Sequence, residues 1–272
     1  MKKFNYQNKT IIVTGASSGI GKDVASILIN KYNAKVIAVA RNEEKLISVK
    51  NSFNEKSNLY VVYPFDVGDY NAWLNFKNNL IENKIEVDGI INCAGVLPEF
   101  TTFNKTDILE FEKVINVNFY SVVYSAKTIL PLVNAGGFIT NVTSSSALCP
   151  FAGVSAYTAS KSACERFSIA LSCEVKNVSV TTVMPGFTKT NIMRSQTIND
   201  KESGVIGRLS ANSMKVAKKI LTKTAKRKKR LITGIDAHFM NFLFKFFPTL
   251  APRFITCFLK KSNFSTFENI FN

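Results

Sequence analysis

The chain has 272 residues, of which 46% are hydrophobic and 20% charged, and its formal net charge is +16. This balance excludes wholesale disorder and supplies enough apolar side chains for a sizeable core. The five cysteines form no CxxC pair and there is a single histidine, so we expect neither a disulfide scaffold nor a metal site. No apolar leader precedes the first predicted strand, and a reducing, cytoplasmic location fits this pattern.

Short apolar runs alternate with longer amphipathic runs, which is typical of βα units in a parallel sheet. The predicted strands are Thr10–Thr14, Lys35–Ala40, Leu59–Tyr63, Asp88–Asn92, Gly137–Thr143, Val178–Met184 and Leu231–Thr233. The predicted helices are 19–31, 70–83, 108–133 and 156–176. The pattern predicts one α/β domain over residues 1–235, a Rossmann-like, doubly wound parallel sheet of about seven strands with helices on both faces. Residues 236–272 then form an apolar and basic C-terminal extension.

A glycine-rich turn, Thr14–Gly21, joins the first strand to the first helix with the spacing GxxxGxG. Glycines allow a tight turn and a close approach of the backbone, and the N-terminus of a helix offers N–H groups to a phosphate. The turn therefore predicts a dinucleotide site, although glycines also serve ordinary turns. The residues expected to touch the cofactor here are Gly15, Ser17, Ser18, Gly19, Ile20 and Gly21.

The end of the second strand indicates which dinucleotide is bound. An acidic residue there would repel a 2′-phosphate, but the chain has Arg41 and no carboxylate before Glu43. Because a guanidinium can pair with a phosphate, we expect NADP(H), with NAD(H) as the less favoured cofactor and a solvated arginine as the alternative. Asp66, after the third strand, either reaches the adenine or caps the next helix.

Tyr157 and Lys161 stand four residues apart at the start of a predicted helix, which places them on one face. A nearby ammonium favours the phenolate and lowers the pKa of a tyrosine, so the pair suits acid–base chemistry. Upstream, the fifth strand is followed by Ser144, Ser145 and Ser146, at the sheet edge where such folds bind ligands. A hydroxyl there can hydrogen-bond a carbonyl substrate, although a serine in this position is also a common turn residue.

These motifs, taken in order over residues 9–192, resemble the short-chain dehydrogenase/reductase family. Thr14–Gly21 is similar to its TGxxxGxG loop, and Tyr157 and Lys161 match its YxxxK motif. Ser144 lies thirteen positions before Tyr157, the family's usual interval for the catalytic serine. Asn92–Gly95 resembles the NNAG motif, with Cys93 in place of one asparagine. Further matches are Asn118 on the long helix, and Pro185 and Gly186 with Thr188 and Thr190 beyond them.

The resemblance implies a mechanism and an assembly. Tyr157 would exchange the proton, Ser144 would polarise the carbonyl, and Lys161 would lower the Tyr157 pKa and bind the nicotinamide ribose. Asn118 would hold a water that links Lys161 to solvent. Asn92, Ala94, Gly95, Pro185, Gly186, Thr188 and Thr190 would contact the cofactor. Family members that prefer NADP often carry a basic residue where Arg41 stands, whereas a second basic position of that group is Ser18 here. Dimers or tetramers are the implied assemblies.

The last third of the chain is the most variable part of such proteins. Residues of about 187–211 are expected to form a lid over the substrate. A basic run, residues 226–230, is followed by aromatic segments, which are interrupted by Pro248 and Pro252 and are too short to span a membrane. Contact with a membrane surface through residues 226–260, peripheral at the inner face, is one interpretation. Packing against the domain or a second subunit is the other, and nucleic acid is ranked last.

The leading functional hypothesis is an NADP(H)-dependent oxidoreductase that acts on the carbonyl or secondary alcohol of a lipid-like or steroid-like substrate. A 3-oxoacyl-thioester reductase of the fatty-acid type, whose acidic carrier would meet the positive surface, is the main alternative within the enzymes. The alternative outside the enzymes is a non-catalytic NADP-binding or peripheral membrane protein.

Overall fold

The computed structural model describes residues 2–190, 210–261 and 267–271. Seven parallel strands form one sheet in the order β3-β2-β1-β4-β5-β6-β9. They are β1 (Thr10–Thr14), β2 (Lys35–Ala40), β3 (Tyr60–Pro64), β4 (Val87–Asn92), β5 (Val133–Val142), β6 (Ser179–Pro185) and β9 (Arg230–Thr233). The two remaining strands, β7 (Thr188–Lys189) and β8 (Ala211–Asn212), pair with each other in parallel. The doubly wound α/β prediction is confirmed.

Helices cover both faces of the sheet. In chain order they are α1 (Gly19–Tyr32), α2 (Glu43–Asn51), α3 (Tyr70–Glu82), α4 (Ile108–Ile115), α5 (Ser121–Ile129), α6 (Ser155–Glu174), α7 (Ser213–Ala225), α8 (Ile235–Phe246), α9 (Leu250–Lys261) and α10 (Glu268–Phe271). One core joins α1 and α7 to the sheet around Ile11 and Phe138. The other joins α3 to the opposite face around Trp73 and Ile90. Because the sheet is covered on both faces, consecutive residues of the central strands are buried, which explains the near-continuous apolar runs in the sequence.

The strand order reverses between β1 and β4, because the chain winds outward from β1 to β3 on one side and from β4 to β9 on the other. At such a switch point the loops after neighbouring strands diverge and leave a crevice at the carboxyl edge of the sheet. The loops after β1 and β4 meet there, since the Thr14 hydroxyl accepts hydrogen bonds from the backbone N–H groups of Cys93 and Ala94, both at 3.1 Å. The fold therefore places the glycine turn beside the NCAG segment.

The predicted helix 108–133 is wrong in its interior and at its end. The chain leaves α-helical geometry at Asn116–Tyr120, a π-helical turn, and Leu130–Leu132 forms a 3₁₀ turn before β5 begins at Val133. Pro131 lies in that last turn, and its lack of an N–H prevents continuation of the helix. Strand β5 consequently begins four residues before the predicted Gly137. Helices α2, α7, α8, α9 and α10 are absent from the sequence prediction.

The C-terminal extension packs on the domain. On α8, Ala237 joins a buried cluster with Met184, and Met240 joins a second cluster with Cys149 and Ala251 of α9. No helix within the described ranges is both long and apolar enough to cross a membrane. The lid predicted at about 187–211 falls largely at 191–209, outside the described residues, although its two ends are joined through β7 and β8.

Candidate active site

A cavity of about 450 Å³ lies at the carboxyl edge of the sheet, above the switch point. The glycine turn, the ends of β2, β4, β5 and β6, and the start of α6 contribute to its wall. It brings together most of the predicted site residues: Gly15, Ser17, Ser18, Gly19, Ile20, Gly21, Arg41, Ala94, Gly95, Ser144, Tyr157, Lys161, Pro185, Gly186, Thr188 and Thr190.

The glycine turn has no space for side chains at two of its positions. Gly15 has φ +67°, and a Cβ atom there would lie 2.9 Å from the Ala94 backbone nitrogen. A Cβ atom at Gly21 would collide with the Gly15 carbonyl. Ser18 precedes α1 without a capping hydrogen bond from its side chain, so the first-turn N–H groups are available to an anion. This cradle fits the pyrophosphate of a dinucleotide.

Two predicted cofactor contacts lie outside the cavity wall among the described residues. Asn92 is buried, and its side-chain amide donates to the Ser125 hydroxyl at 2.9 Å and to the Asn141 Oδ1 at 2.8 Å. It therefore joins β4 to β5 and α5. Asp66 accepts from the Gly68 N–H at 2.9 Å, and it does not cap the next helix, since Asp69 does so through the Asn71 N–H.

A basic cluster lies at the end of β2. Arg41 lines the cavity and its guanidinium lies 3.7 Å from the Asp66 carboxylate, with both side chains about half exposed. Asn42 and Lys45 line the same end of the cavity, and the Asn42 side chain caps α2 by accepting from the Lys45 N–H at 2.7 Å. Lys45 is not predicted from the sequence, although its position four residues after Arg41, at a strand-to-helix junction, is a signal for a second cation there.

Asn118 lies in the π-helical turn and is 1% exposed. Its amide donates to the Val96 carbonyl at 2.9 Å and to the Ser160 hydroxyl at 3.1 Å, and its Oδ1 accepts from the Val96 N–H at 2.8 Å. A Cβ atom at Gly95 would lie 3.1 Å from both the Asn118 Oδ1 and the Lys161 Nζ. The glycine thus allows the amide and the ammonium to approach the same loop.

Lys161 is almost fully buried, 3% exposed, and its Nζ donates to the Val142 carbonyl at 3.3 Å. Burial lowers the pKa of Lys161 from its ordinary value, and the neighbouring thiols of Cys164 and Cys93 act in the opposite direction. The Nζ atom lies 5.8 Å from the centre of the Tyr157 ring. The helix α6 therefore presents the phenol and the ammonium to one cavity, as the spacing predicts.

Ser144 lines the cavity with Tyr157, and among the three serines of the run it is the one whose hydroxyl lowers the pKa of the Tyr157 phenol. Burial raises the pKa of Tyr157 and the Ser144 hydroxyl acts in the opposite direction, with burial the larger effect. The pKa of Tyr157 is thus raised overall, whereas the sequence predicts a lowering through Lys161. Ser145 and Ser146 also border the cavity but are buried, and the Ser146 N–H donates to the Ser144 hydroxyl at 3.2 Å.

The loop after β6 is held by a residue outside the recognised motifs. Asp236, in the first turn of α8, accepts from the Phe187 N–H at 2.6 Å. Its carboxylate occupies the space where Gly186 would carry a side chain. The Thr188 hydroxyl donates to the Gly186 carbonyl at 2.9 Å and stiffens the same turn. Asp236 could not be identified from the sequence, because it lies some fifty residues from the loop it holds.

The other end of the cavity is apolar. Its wall contains Leu97, Phe100, Phe151 and Val154. Phe267 and Ile270 from the C-terminal segment pack directly behind Phe100, Val154 and the Tyr157 ring. The Phe100 and Phe267 rings meet edge to face with centroids 5.1 Å apart. The extension thus supports the apolar wall next to the candidate catalytic tyrosine.

The chain is similar to known dehydrogenases and reductases over most of its length. A family model described as short chain dehydrogenase matches residues 9–201. The 11-beta-hydroxysteroid dehydrogenase-like 2 of Arabidopsis thaliana is 31% identical over 203 residues, which are 72% of this chain and 65% of the relative. The 3-ketodihydrosphingosine reductase of Mus musculus is 34% identical over 189 residues, 66% of this chain and 56% of the relative. The chain therefore matches less than two thirds of either relative.

Solved structures share the fold. A short chain dehydrogenase/reductase from Burkholderia phymatum, in complex with NAD, matches with a TM-score of 0.80 at 18% sequence identity. The match covers 91% of this chain and 96% of the Burkholderia phymatum chain. A short chain dehydrogenase from Burkholderia cenocepacia, in complex with NADP, matches with a TM-score of 0.77 at 19% sequence identity. The match covers 93% of this chain and 100% of the Burkholderia cenocepacia chain.

Proposed function

Because the chain belongs to the short-chain dehydrogenase family, we propose that it transfers a hydride between NADP(H) and the carbonyl or secondary alcohol of an apolar substrate. One observation carries the proposal. Ser144, Tyr157 and Lys161 line a single cavity together with the glycine turn that can hold a dinucleotide phosphate. The groups proposed for proton exchange and the turn proposed for cofactor binding therefore line the same cavity.

The dinucleotide fits the polar part of this cavity. Gly15, Gly21 and the start of α1 would hold its pyrophosphate, and Lys161 with the loop after β6 would hold its nicotinamide end. When bound, the nicotinamide supplies or accepts the hydride. The protein contributes position and charge, which are the terms that bring reacting groups into line.

Tyr157 is the proton donor of the proposed reduction. A substrate carbonyl placed against the wall would accept hydrogen bonds from the Ser144 hydroxyl and the Tyr157 phenol, and the phenolic proton would pass to the oxygen as charge develops there. The positive charge of Lys161, 5.8 Å from the centre of the ring, then stabilises the phenolate that remains. When the alcohol is oxidised, the same groups act in the opposite direction, and the Tyr157 phenolate accepts the hydroxyl proton as the base.

Asn118 supports this arrangement from behind. Both hydrogens of its amide are used by Val96 and Ser160, so the second lone pair of Oδ1 remains as the side-chain acceptor for a water that links Lys161 to solvent. Its contacts also hold the Val96 backbone next to Lys161. We therefore assign Asn118 a positioning role with the relay water as a second one.

The preference for NADP(H) rests on the basic cluster after β2. Arg41 and Lys45 border the same end of the cavity, where a 2′-phosphate would lie. Asp66 lies beside Arg41 at 3.7 Å and partly offsets its charge, but it does not line the cavity. Two cations at one end favour a phosphate over the bare ribose of NAD(H).

The substrate class follows from the apolar end of the cavity. Phe100, Phe151 and Val154 offer surface for a lipid-like or steroid-like body and few groups that could hydrogen-bond a polar one. The names of the two relatives above, a hydroxysteroid dehydrogenase-like protein and a ketodihydrosphingosine reductase, agree with such a substrate.

A homo-oligomer is proposed from the outward faces of the long helices. Ile108 and Leu109 at the start of α4, Tyr120 after it and Ile169 on α6 are exposed large apolar side chains. Paired α4 and α6 helices from two copies would bury them. Light scattering on wild type and on Leu109→Lys checks this: the variant should shift to a smaller species.

The function is tested with a panel of ketosteroids, keto-lipids, small ketones and a 3-oxoacyl thioester, in which NADPH and NADH oxidation are followed separately. We expect NADPH oxidation with the larger apolar ketones. Preference for the thioester would support the fatty-acid type of reductase instead. No turnover with any ketone, together with dinucleotide binding, would refute the enzymatic assignment and favour a cofactor-binding protein.

A further inference from the structure

The outward surface of α8 and α9 is unusually apolar. Half of the exposed large apolar side chains among the described residues lie within this stretch of the chain, and each of them is at least 50% exposed. We call the following set the outer face: Ile235, Phe239, Phe242, Phe246, Phe247, Leu250, Phe254 and Phe258. Apart from Phe247, which follows the end of α8, the members on each helix are three or four residues apart and form one stripe per helix.

The outer face is distinct from the faces that hold these helices on the domain. Ala237 and Met240 of α8 and Ala251 of α9 are buried against the body. The Thr256 hydroxyl also accepts from the Ala152 N–H at 3.2 Å. Both helices therefore have a packed side already, and the phenylalanines opposite are additional apolar surface. Contiguous exposed surface of this kind marks an interaction site.

The stretch of chain that carries the outer face is almost entirely of one charge sign. From Ser203 to Phe267 the sequence contains a single acidic residue, Asp236, and that carboxylate is engaged by the Phe187 N–H. Exposed cations adjoin the stripes on the same helices, namely Lys245, Arg253, Lys260 and Lys261. A partner that fits an apolar stripe bordered by cations has an apolar interior beneath an anionic surface.

The basic run 226–230 divides into structural and free members. Arg227 donates to the Gly136 and Gly137 carbonyls, and Arg230 pairs with the buried carboxylate of Glu165 at 3.1 Å. Lys226, Lys228 and Lys229 are exposed. Arg230 also contacts the Asn241 side chain at 3.5 Å, which brings the run alongside the second half of α8.

We propose that the outer face of α8 and α9, with Lys228 and Lys229 at its border, docks on an anionic lipid surface. A second copy of the chain fits less well, because a twofold dimer on this face would set the same cations against each other. The membrane-bound orientation also suits the apolar cavity end, since Leu259 of α9 packs in the cluster that includes Phe100 and Tyr157. Docking is independent of catalysis and of the proposed function.

Vesicle sedimentation tests the proposal on the full chain without cofactor. Wild type should sediment with vesicles of phosphatidylcholine mixed with phosphatidylglycerol, less so as salt rises, and remain in solution with phosphatidylcholine alone. Phe242→Ser/Phe246→Ser/Phe254→Ser should lower the bound fraction about tenfold or more. The matched control Ile47→Ser/Ile81→Ser/Phe103→Ser, which removes exposed apolar side chains elsewhere, should bind as wild type.

A second pair of variants tests the charges. Lys228→Gln/Lys229→Gln should weaken binding to the anionic vesicles, whereas Lys105→Gln/Lys113→Gln, which removes the same charge from exposed positions on and before α4, should not. Equal sedimentation of wild type and the phenylalanine variant would overturn the proposal. A wild-type dimer that the phenylalanine variant converts to monomer, with no vesicle binding, would overturn it in favour of an interface between copies.

Discussion

The carboxylate of Asp236 accepts a hydrogen bond from the Phe187 N–H at 2.6 Å and fills the space beside Gly186. The contact joins the first turn of α8 to the loop after β6, which borders the cavity. A side chain from the C-terminal extension thereby holds the loop that is proposed to bind the nicotinamide end of the cofactor. The extension is therefore part of the architecture of the candidate active site.

Asp236→Ala should loosen that loop. A hydrogen bond to a charged group contributes about 1.5–3 kcal/mol, so we expect the Kd for NADPH to rise about tenfold or more. The matched control is Asp107→Ala, which removes a similar carboxylate–backbone bond of 2.9 Å, to the Leu109 N–H, on α4. Dinucleotide titration by fluorescence, with thermal melts of both variants, checks it. Equal losses of Tm and unchanged NADPH binding in both would show that Asp236 has only a structural role.

Tyr157→Phe should lower kcat about 100-fold or more while NADPH binding stays within a factor of about two. The variant keeps the ring that packs beside Phe100 and Phe267 and removes only the hydroxyl, which shares the cavity with Ser144. Single-turnover rates and the NADPH Kd are the measurements. Substantial residual turnover would exclude Tyr157 as the proton donor. Tyr120→Phe, which changes an exposed tyrosine, is the control.

The pH dependence should differ between the two reaction directions. Burial raises the pKa of Tyr157, so the phenol, the form that donates the proton, persists past its ordinary value of about 10. We expect the reductive kcat/KM to stay flat between about pH 6 and about pH 9, and the oxidative kcat/KM to rise with pH over the same range. A reductive rate that falls through neutral pH would indicate another proton donor.

Local patterns predicted the strands of the sheet and selected candidate catalytic residues that share one cavity, because each pattern depends on residues close in sequence. A single helical turn is enough to place Tyr157 and Lys161 on one face. The glycine turn is likewise recognised from the strand before it and the helix after it. The contacts missed depend on distant segments, as between Asp236 and Phe187 or between Ile270 and Val154. Asn92 is the opposite case, because its motif was recognised but its expected role was not observed. Its side chain is buried and donates to the Ser125 hydroxyl rather than lining the cavity.

Arg41→Ala should raise the KM for NADPH about tenfold or more and leave the KM for NADH nearly unchanged, because only NADPH carries the 2′-phosphate. Lys45→Ala should act in the same direction with a smaller effect. Lys50→Ala, on the same helix but outside the cavity wall, is the control for charge. Equal effects of Arg41→Ala on both cofactors would assign the arginine to the shared part of the dinucleotide.

Ile270→Ala tests whether the C-terminal segment shapes the substrate end. Ile270 is 7% exposed and packs behind Phe100 and Val154, so its truncation should lower stability and raise the KM for large apolar ketones several-fold. Small ketones and NADPH should keep their KM, because neither needs that wall. The control is Ile27→Ala, 9% exposed in the core on α1, which loses the same atoms far from the cavity. If both variants lose stability alike but neither changes the KM for large ketones, the segment stabilises the domain without selecting the substrate.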